Sequence, residues 1–176
     1  MRRVIVVGIS GSGKTTLARA LASRLGVPHI ELDGLRHGRG WQPRPEFVAD
    51  ATAAAAQPGW VVDGDYADVR DLFWPQADTL VWLDLGRPLV MARVIRRSAA
   101  RAALRRELWN GNREAFRAWL DPEHPIRWAW SQHGPRRREL EARVADPRFA
   151  GLRVVRLRRA GDAGRWLATV GSQPLG

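Results

Sequence analysis

The sequence predicts an α/β fold in which a five-stranded parallel sheet is covered by helices on both faces. Three observations lead to this prediction. Short, continuous apolar segments alternate along the chain with segments of helical periodicity, which is typical of buried strands joined by helices. A glycine-rich loop separates the first apolar segment from the first amphipathic one. The polar residues that are candidates for a functional site come at or just after the ends of the apolar segments. In a parallel sheet, ligands bind at the edge formed by the carboxyl ends of the strands.

Length and composition limit the kind of protein that the chain can be. Its 176 residues are enough for one domain with its own core, and we expect a single domain over residues 1–176. The absence of cysteine excludes disulfides, thiolate zinc sites and cysteine nucleophiles. No apolar segment approaches the length of a membrane span, and the first strand begins without the pattern of a signal peptide. We therefore expect a cytoplasmic protein without a membrane anchor.

The first predicted strand, residues 4–7, leads into a loop that matches a phosphate-binding motif. Residues 8–15 fit G-x-x-x-x-G-K-[ST], and an amphipathic helix over residues 15–25 follows. The glycines let main-chain N–H groups turn inward around a phosphate chain, and the helix N-terminus adds partial positive charge. Lys14 is the only lysine, and all other basic residues are arginine. A compact ammonium fits between two phosphates where a guanidinium does not.

The loop therefore predicts a nucleoside-triphosphate site. We expect Lys14 to reach the β- and γ-phosphates as a catalytic residue, and the Thr15 hydroxyl to ligate Mg²⁺. The alternative is a glycine turn that binds nothing. The expected nucleotide-binding residues of the loop are Gly8, Ser10, Gly11, Ser12, Gly13, Lys14, Thr15 and Thr16.

Two aspartates lie at the ends of the second and third predicted strands: Asp33 follows residues 29–32, and Asp63 is the last of residues 60–63. Asp33 is expected to be catalytic, because it would face the phosphoryl acceptor and orient a hydroxyl or accept its proton. Asp63 is expected to steady Mg²⁺, directly or through water. The alternative for each aspartate is a helix cap or a turn. Gly64, behind Asp63, would permit close approach of a substrate.

A predicted helix over residues 87–106 follows the fourth strand at residues 79–84 and contains a series of arginines. Arg93 and Arg97 are four residues apart and therefore lie on one face. We expect both to stabilise the charge of a transferring phosphoryl group, the alternative being a solvated basic face. The solvated face is the preferred interpretation for Arg96, Arg101, Arg105 and Arg106.

The remaining predicted elements are a helix over residues 45–57, a fifth strand over residues 152–157 and a last helix from residue 162. Arg158 follows the fifth strand and, together with Arg93, is expected to contact the nucleotide base, with adenine preferred. Residues 98–150 are the least regular part. Within them, Pro135 should break or kink any helix.

The formal net charge of +11 favours anionic partners such as nucleotides, nucleic acid or acidic lipid, although a basic soluble surface explains it equally well. A nucleic-acid-binding NTPase is the alternative function, with residues 101–106 and 136–138 as a phosphate track. No DNA-reading motif is found, so nucleic acid is not favoured. The histidines have no metal-ligand spacing, and no chemistry is assigned to His29, His37, His124 and His133.

Four segments resemble the nucleoside-monophosphate-kinase-like P-loop kinases. They are the phosphate loop at 8–16, Asp-Gly-Leu-Arg at 33–36, Val-Val-Asp-Gly at 61–64, and residues 76–97. The resemblance implies a three-layer P-loop NTPase fold with sheet order 2-3-1-4-5 and an arginine-rich helical lid at roughly 98–125. It also implies an ATP- and Mg²⁺-dependent kinase whose small acceptor is a nucleotide or metabolite. A shorter match to shikimate-type kinases places the aspartate after strand two against the acceptor.

A further likeness is to the bacterial group labelled adenylate-kinase-related or DNA topology modulation proteins, through residues 61–66, 70–75 and 107–114. Relative to adenylate kinases, Asp65-Tyr66 replaces Phe-Pro-Arg, so one acceptor-phosphate arginine is missing and Arg70 is its expected substitute. The acceptor-binding residues that we expect are Asp33, Arg36, Asp63, Gly64, Tyr66 and Arg70. A polynucleotide or nucleoside kinase is a further alternative. Asn110, Asn112 and Arg113 form a polar cluster that either caps a helix or touches substrate.

Overall fold

The computed structural model describes residues 1–103 and 125–171. In that part of the chain the regular elements are β1 (Arg3–Gly8), α1 (Lys14–Leu25), β2 (His29–Glu31), α2 (Leu32–Arg36), α3 (Phe47–Ala55), β3 (Trp60–Asp63), α4 (Ala67–Phe73), β4 (Thr79–Leu83), α5 (Arg87–Ala103), α6 (Pro125–Val144), β5 (Arg153–Leu157) and α7 (Asp162–Thr169). Short 3₁₀ turns lie at Arg39–Trp41, Trp74–Gln76 and Pro147–Phe149. None of the described helices is long and apolar enough to cross a bilayer.

The five strands form one parallel sheet in the order β2-β3-β1-β4-β5, which confirms the predicted fold class. Strand β1 lies at the centre, where Val4 aligns with Val61 of β3 and with Thr79 of β4. Every residue of β3 and β4 is buried, as the continuous apolar runs predicted for strands covered on both faces. Because all five strands are parallel, their carboxyl ends lie at the same edge of the sheet.

Helices cover both faces of this sheet. On one face, Leu17 and Leu21 of α1 pack with Val170, next to α7, in an apolar cluster against β1, β3, β4 and β5. On the other face, the core contains residues of α3, α4 and α6, including Phe47, Phe73 and Leu140. Packing between these two layers of helices holds the strands, and therefore the side chains at their carboxyl ends, in place.

A third apolar cluster holds α5 against the glycine-rich loop. Ile9 of the loop packs with Val90 and Val94 of α5 and with Ala129 of α6. Val90 and Val94 are completely buried, and burying each such side chain stabilises the packing by roughly 1.5–3 kcal/mol. The position of α5 beside the loop therefore depends on apolar packing rather than on its arginines.

Several elements differ from the prediction. Helix α6 continues through Pro135, so, of the break or kink predicted there, the break is wrong. The preceding residue is Gly134, and the absence of a Cβ removes part of the clash that proline imposes on its neighbour. Strand β2 ends at Glu31, and Asp33 lies in the first turn of α2. The short helices α2 and α4 were not predicted.

Other predictions concern residues outside the described part. Most of the expected lid at 98–125, including residues 104–124, lies there. The same holds for Arg105, Arg106, Asn110, Asn112, Arg113 and His124.

Candidate functional site

The loop between β1 and α1 has a backbone that only glycine accommodates at its key positions. Gly8 and Gly11 have φ values of 152° and 83°. A Cβ on Gly8 would lie 2.7 Å from Ser12 Oγ, and one on Gly11 would lie 3.1 Å from the carbonyl oxygen of Val90. The turn is closed by the Ser12 amide, which donates to the Ile9 carbonyl at 3.1 Å. The motif glycines are therefore required by both conformation and packing.

Helix α1 begins at Lys14 without a side-chain cap, because the N-cap residue is Gly13. The first N–H groups of a helix lack intrahelical partners and carry partial positive charge, so this end of α1 is suited to an anion. The helix has twelve residues, long enough for its dipole to contribute.

The ammonium of Lys14 lies inside the loop. Its Nζ donates to the Ile9 carbonyl oxygen at 3.4 Å. Burial lowers the pKa of Lys14, Arg97 adds to this effect, and the negative charges of Asp33 and Asp63 oppose it. A cation in such surroundings gains strongly from a bound polyanion, because an opposite charge favours the charged form.

Two arginines of α5 contact the loop from the other side. Arg93 Nη1 donates to the Ser12 carbonyl oxygen at 3.2 Å, and Arg97 Nη2 donates to Ser10 Oγ at 2.9 Å. The structure therefore brings Arg93, Arg97 and Lys14 together around one loop. Arg96 lies on the exposed side of the same helix.

Asp63, at the carboxyl end of β3, forms a buried pair that the sequence did not predict. Its Oδ2 lies 3.1 Å from His29 Nε2. The Asp63 side chain is 2% exposed and that of His29 is 15% exposed. His29 lies on β2, the neighbour of β3, two residues before the strand ends. This contact fixes one carboxylate oxygen of Asp63 and leaves Oδ1 for another partner.

The chemistry of the residues at this place fits Mg²⁺. Thr15 offers a hydroxyl at the start of α1, and Asp63 offers a carboxylate oxygen at the end of β3. Among the described residues, no group of three or more His, Cys, Asp or Glu side chains could hold a metal by itself. A hydroxyl and a carboxylate are oxygen ligands of the kind that Mg²⁺ prefers, and Mg²⁺ commonly takes only one or two of them from the protein.

Asp33, Tyr66 and Arg36 form a compact group, and the charge of Asp33 acts on Lys14. Tyr66 donates its hydroxyl hydrogen to Asp33 Oδ1 at 2.5 Å. The Arg36 guanidinium lies 4.7 Å from the Tyr66 ring centroid and 5.3 Å from that of Phe47. Burial, reinforced by the charge and the hydrogen bond of Asp33, raises the pKa of Tyr66. Tyr66 therefore stays a hydrogen-bond donor across the physiological pH range.

Arg70 and Gly64, two further expected acceptor-binding residues, have other contacts. Arg70 donates two hydrogen bonds to Asp65, at 2.9 and 3.0 Å. Arg143 of α6 donates to the same carboxylate at 2.8 Å. Gly64, with φ of 111°, lies against Leu32, whose Cβ would be 3.2 Å from an added Cβ. The ion-pair group joins α4 and the end of β3 to α6.

The Asp65 group predicts a measurable effect on stability. Burial raises the pKa of Asp65, but the hydrogen bonds and charges of Arg70 and Arg143 outweigh burial and lower it. The stabilisation is therefore present above the ordinary aspartate pKa of 3.8 and is lost as the pH falls through the lowered value. We expect Asp65→Asn to lower the free energy of unfolding by about 2 kcal/mol at pH 7, because Arg70 and Arg143 lose one of their two carboxylate partners and keep only Glu139.

Urea denaturation between pH 7 and pH 2.5 checks this expectation. The difference in the free energy of unfolding between the wild type and Asp65→Asn should become smaller as the pH falls. Asp146→Asn is the matched control, because its partner Arg148 is 79% exposed and an exposed pair contributes roughly 0–1 kcal/mol. Equal losses in the two variants would contradict the role given to Asp65.

Arg158, an expected contact of the nucleotide base, follows β5 and is 62% exposed. Its Nε lies 3.8 Å from Asp84 Oδ2, and its main-chain N–H donates to Asp162 Oδ2 at 3.0 Å. Arg158 therefore lies at the same edge of the sheet as the loop, and its guanidinium is close to the Asp84 carboxylate.

Comparisons with known proteins agree with the geometry. The family model described as ATPase family associated with various cellular activities matches residues 4–73, from β1 to α4. A protein of Chloroflexus aurantiacus that has been proposed to be a kinase superposes with a TM-score of 0.56 at 15% identity, over 95% of each chain. No curated protein matches significantly.

Two further solved structures are less similar. A sugar kinase of Janibacter has a TM-score of 0.47 at 18% identity, over 96% of this chain and 93% of that one. A shikimate kinase of Bacteroides thetaiotaomicron has a TM-score of 0.46 at 15% identity, over 95% and 94%. The loop, the sheet order and the Chloroflexus structure together show the P-loop NTPase fold, which confirms the resemblance drawn from the sequence at the level of the fold.

Proposed function

We propose that the chain is an ATP- and Mg²⁺-dependent kinase that transfers the γ-phosphoryl group to a small acceptor bound beside Asp33. The observation behind the proposal is the placement of charge around the loop. Lys14, Arg93 and Arg97 contact the loop, and the carboxylates of Asp33 and Asp63 are close enough to Lys14 for their charges to act on it. A phosphoryl group in the loop would therefore lie between fixed cations and a carboxylate that can accept a proton.

The residues have separate tasks in this proposal. Main-chain N–H groups of the loop and of the α1 N-terminus bind the phosphate chain of ATP, and Lys14 holds its β- and γ-phosphates. Arg93 and Arg97 would stabilise negative charge on the equatorial oxygens during transfer. Thr15 and Asp63 would hold Mg²⁺, which when bound neutralises phosphate charge. Arg158, at the edge of the site, would contact the nucleotide base.

On the acceptor side, Asp33 would bind the acceptor hydroxyl and take its proton. The hydrogen bond from Tyr66 fixes Asp33 Oδ1, so the carboxylate would be oriented before the acceptor arrives. Arg36, Gly64 and Arg70 complete the proposed acceptor side. The ion pairs of Arg36 and Arg70 with Asp68 and Asp65 make these arginines positioning groups for the walls of the site. Positioning of this kind lowers the barrier by reducing the entropy lost during reaction.

Release of ADP tests this function. Purified protein, ATP and Mg²⁺ are incubated with nucleosides, nucleoside monophosphates, sugars and small alcohols, and ADP is measured by a coupled assay. We expect at least one acceptor to raise ADP release above the acceptor-free rate, and the rise to require Mg²⁺. Absence of both ADP release and nucleotide binding would show that the proposed function is wrong.

His29 is expected to influence the Mg²⁺ dependence through Asp63. Loss of its ring in His29→Ala frees the Asp63 carboxylate to rotate, and removing such an outer partner typically weakens metal binding 10–100-fold. We expect the Mg²⁺ concentration needed for nucleotide binding to rise about 10-fold, as measured by calorimetry at a series of Mg²⁺ concentrations.

The control for this experiment is His29→Gln, whose side-chain amide can donate a hydrogen bond from a similar position. It should restore much of the wild-type Mg²⁺ dependence. An unaltered Mg²⁺ requirement in His29→Ala would remove His29 from the site. Thermal denaturation of both variants separates this effect from loss of folded protein.

A nucleic-acid track is less well supported. Two of its three expected arginines on α6 have carboxylate partners, since Arg136 lies 2.8 Å from Glu139 and Arg137 lies 3.4 Å from Asp84. Phosphate contacts by these arginines would compete with the existing ion pairs. The kinase is therefore the function that the contacts favour.

A further inference from the structure

The segment that surrounds Asp33 has a charge opposite to that of the whole chain. Residues 31–73, from the end of β2 to the end of α4, contain eight acidic residues and four arginines, a formal charge of −4, whereas the chain has +11. Glu31, Asp33, Asp63 and Asp65 lie at or just after the carboxyl ends of β2 and β3. The potential at this side of the site therefore opposes an approaching anion.

Three of the four arginines in this segment are already paired with carboxylates. Arg36 Nη1 lies 2.7 Å from Asp68 Oδ2, and Arg44 Nη2 lies 3.0 Å from Asp50 Oδ2. Arg70 is held by Asp65 in the two-bond contact described above. A phosphate or carboxylate on the acceptor would compete with one of these partners for the charge of the arginine.

The nucleotide side differs in this respect. Arg93 donates to a main-chain carbonyl, and in the described part of the chain no carboxylate forms an ion pair with it. Lys14 likewise donates to a main-chain carbonyl. Among the described residues, Lys14 and Arg93 thus form no ion pair at the loop, whereas three of the four arginines of residues 31–73 do. The fourth, Arg39, lies in the 3₁₀ turn Arg39–Trp41.

From this partition of charge we propose that the acceptor is an alcohol that has no phosphate or carboxylate group. The proposal rests on the proposed function and narrows it to one substrate class, that of uncharged or cationic alcohols such as nucleosides, sugars, polyols and amino alcohols. Nucleoside monophosphates and hydroxy acids are poor acceptors on this account, because like charges placed side by side cost several kcal/mol.

The reaction balances with the groups at hand. The hydroxyl oxygen forms a bond to the γ-phosphorus of ATP, the bond from that phosphorus to the β–γ bridging oxygen breaks, and ADP leaves. The hydroxyl proton passes to Asp33. Tyr66 occupies Asp33 Oδ1, and in the described residues no hydrogen bond engages Oδ2, which is thus the proton acceptor.

Matched acceptor pairs test the proposal in the ADP-release assay. Each pair has one carbon skeleton with and without an anionic group: a nucleoside and its 5′-monophosphate, a hexose and its 6-phosphate, glycerol and glycerol phosphate, an amino alcohol and the related hydroxy acid. We expect the member without the anion to raise ADP release, and its partner to be at least about 10-fold less effective.

Faster release with the anionic members would overturn the inference and leave the kinase function standing. A panel in which no uncharged or cationic alcohol exceeds the acceptor-free rate would also overturn it. Failure of the protein to bind nucleotide at all is a different result, since it removes the proposed function itself.

A charge variant supplies an independent check. Asp68→Asn removes the carboxylate partner of Arg36, so the rate with anionic members should rise relative to that with neutral members, by up to about fivefold for an exposed ion pair. Asp146→Asn lies outside residues 31–73 and removes the partner of an exposed arginine, Arg148, so it is the matched control and should leave the ratio unchanged. If Asp68→Asn left the ratio of the rates with anionic and neutral acceptors unchanged, the neutralisation of Arg36, on which the proposal depends, would be contradicted.

Discussion

Replacement of Lys14 by alanine or methionine is expected to abolish turnover, with a loss of at least about 10³-fold in phosphoryl transfer. The ammonium is held inside the loop by the Ile9 carbonyl, and no other lysine exists in the chain. A guanidinium is too large and too planar to replace it between two phosphates, so Lys14→Arg should also fail. Single-turnover transfer, followed by rapid quenching, measures the loss.

The same substitution should leave the protein folded. Burial lowers the pKa of Lys14, which means that folding disfavours its charged form and that the charge costs stability below the ordinary lysine pKa. Lys14→Met should therefore unfold at the same temperature as the wild type or at a higher one. Arg19→Met, which removes an exposed charge from the same helix, is the matched control and should retain full activity. A normal rate in Lys14→Met would contradict the catalytic assignment of the loop.

The second large effect is expected at α5. Arg93→Ala and Arg97→Ala should each lower single-turnover transfer by about 10³-fold, because a positioned arginine can contribute that much to phosphoryl transfer. Both guanidinium groups contact the loop at the carbonyl of Ser12 and the hydroxyl of Ser10. Their contribution should appear in the chemical step more than in ATP affinity, since the charge that they stabilise grows during transfer.

The matched control is Arg96→Ala, which removes an arginine from the exposed side of the same helix. It should change the rate less than twofold, an expectation based on the usual small effect of exposed charges. The helix itself should survive all three substitutions, because Val90 and Val94 hold it by apolar burial. Transfer at the wild-type rate in both Arg93→Ala and Arg97→Ala would show that α5 is only a basic surface.

The sheet and the nucleotide side could be predicted because their signals are local. Strands buried on both faces appear as continuous apolar runs, and residues 8–15 contain the whole loop motif within eight positions. The four-residue spacing of Arg93 and Arg97 places them on one helix face by geometry alone. Their contacts with the loop follow once α5 packs against Ile9.

The acceptor side was harder to predict because its contacts connect distant parts of the chain. The pair of His29 with Asp63 depends on the pairing of β2 with β3, in which His29 aligns with Val61. The two residues are 34 positions apart in the chain, so no local motif contains both. Arg143 lies 78 positions from Asp65. The apolar periodicity that identified other helices is weak in α6, which is rich in arginine and tryptophan.

Calorimetric titration of the protein with ATP in the presence of Mg²⁺ is the most direct test of the central claim, that the loop around Lys14 binds a nucleoside triphosphate. We expect saturable binding at one site per chain, with a dissociation constant of roughly 1 μM to 1 mM as for most enzyme substrates, and its loss in Lys14→Met but not in Arg19→Met. Absence of any nucleotide binding by the folded wild-type protein would contradict the claim.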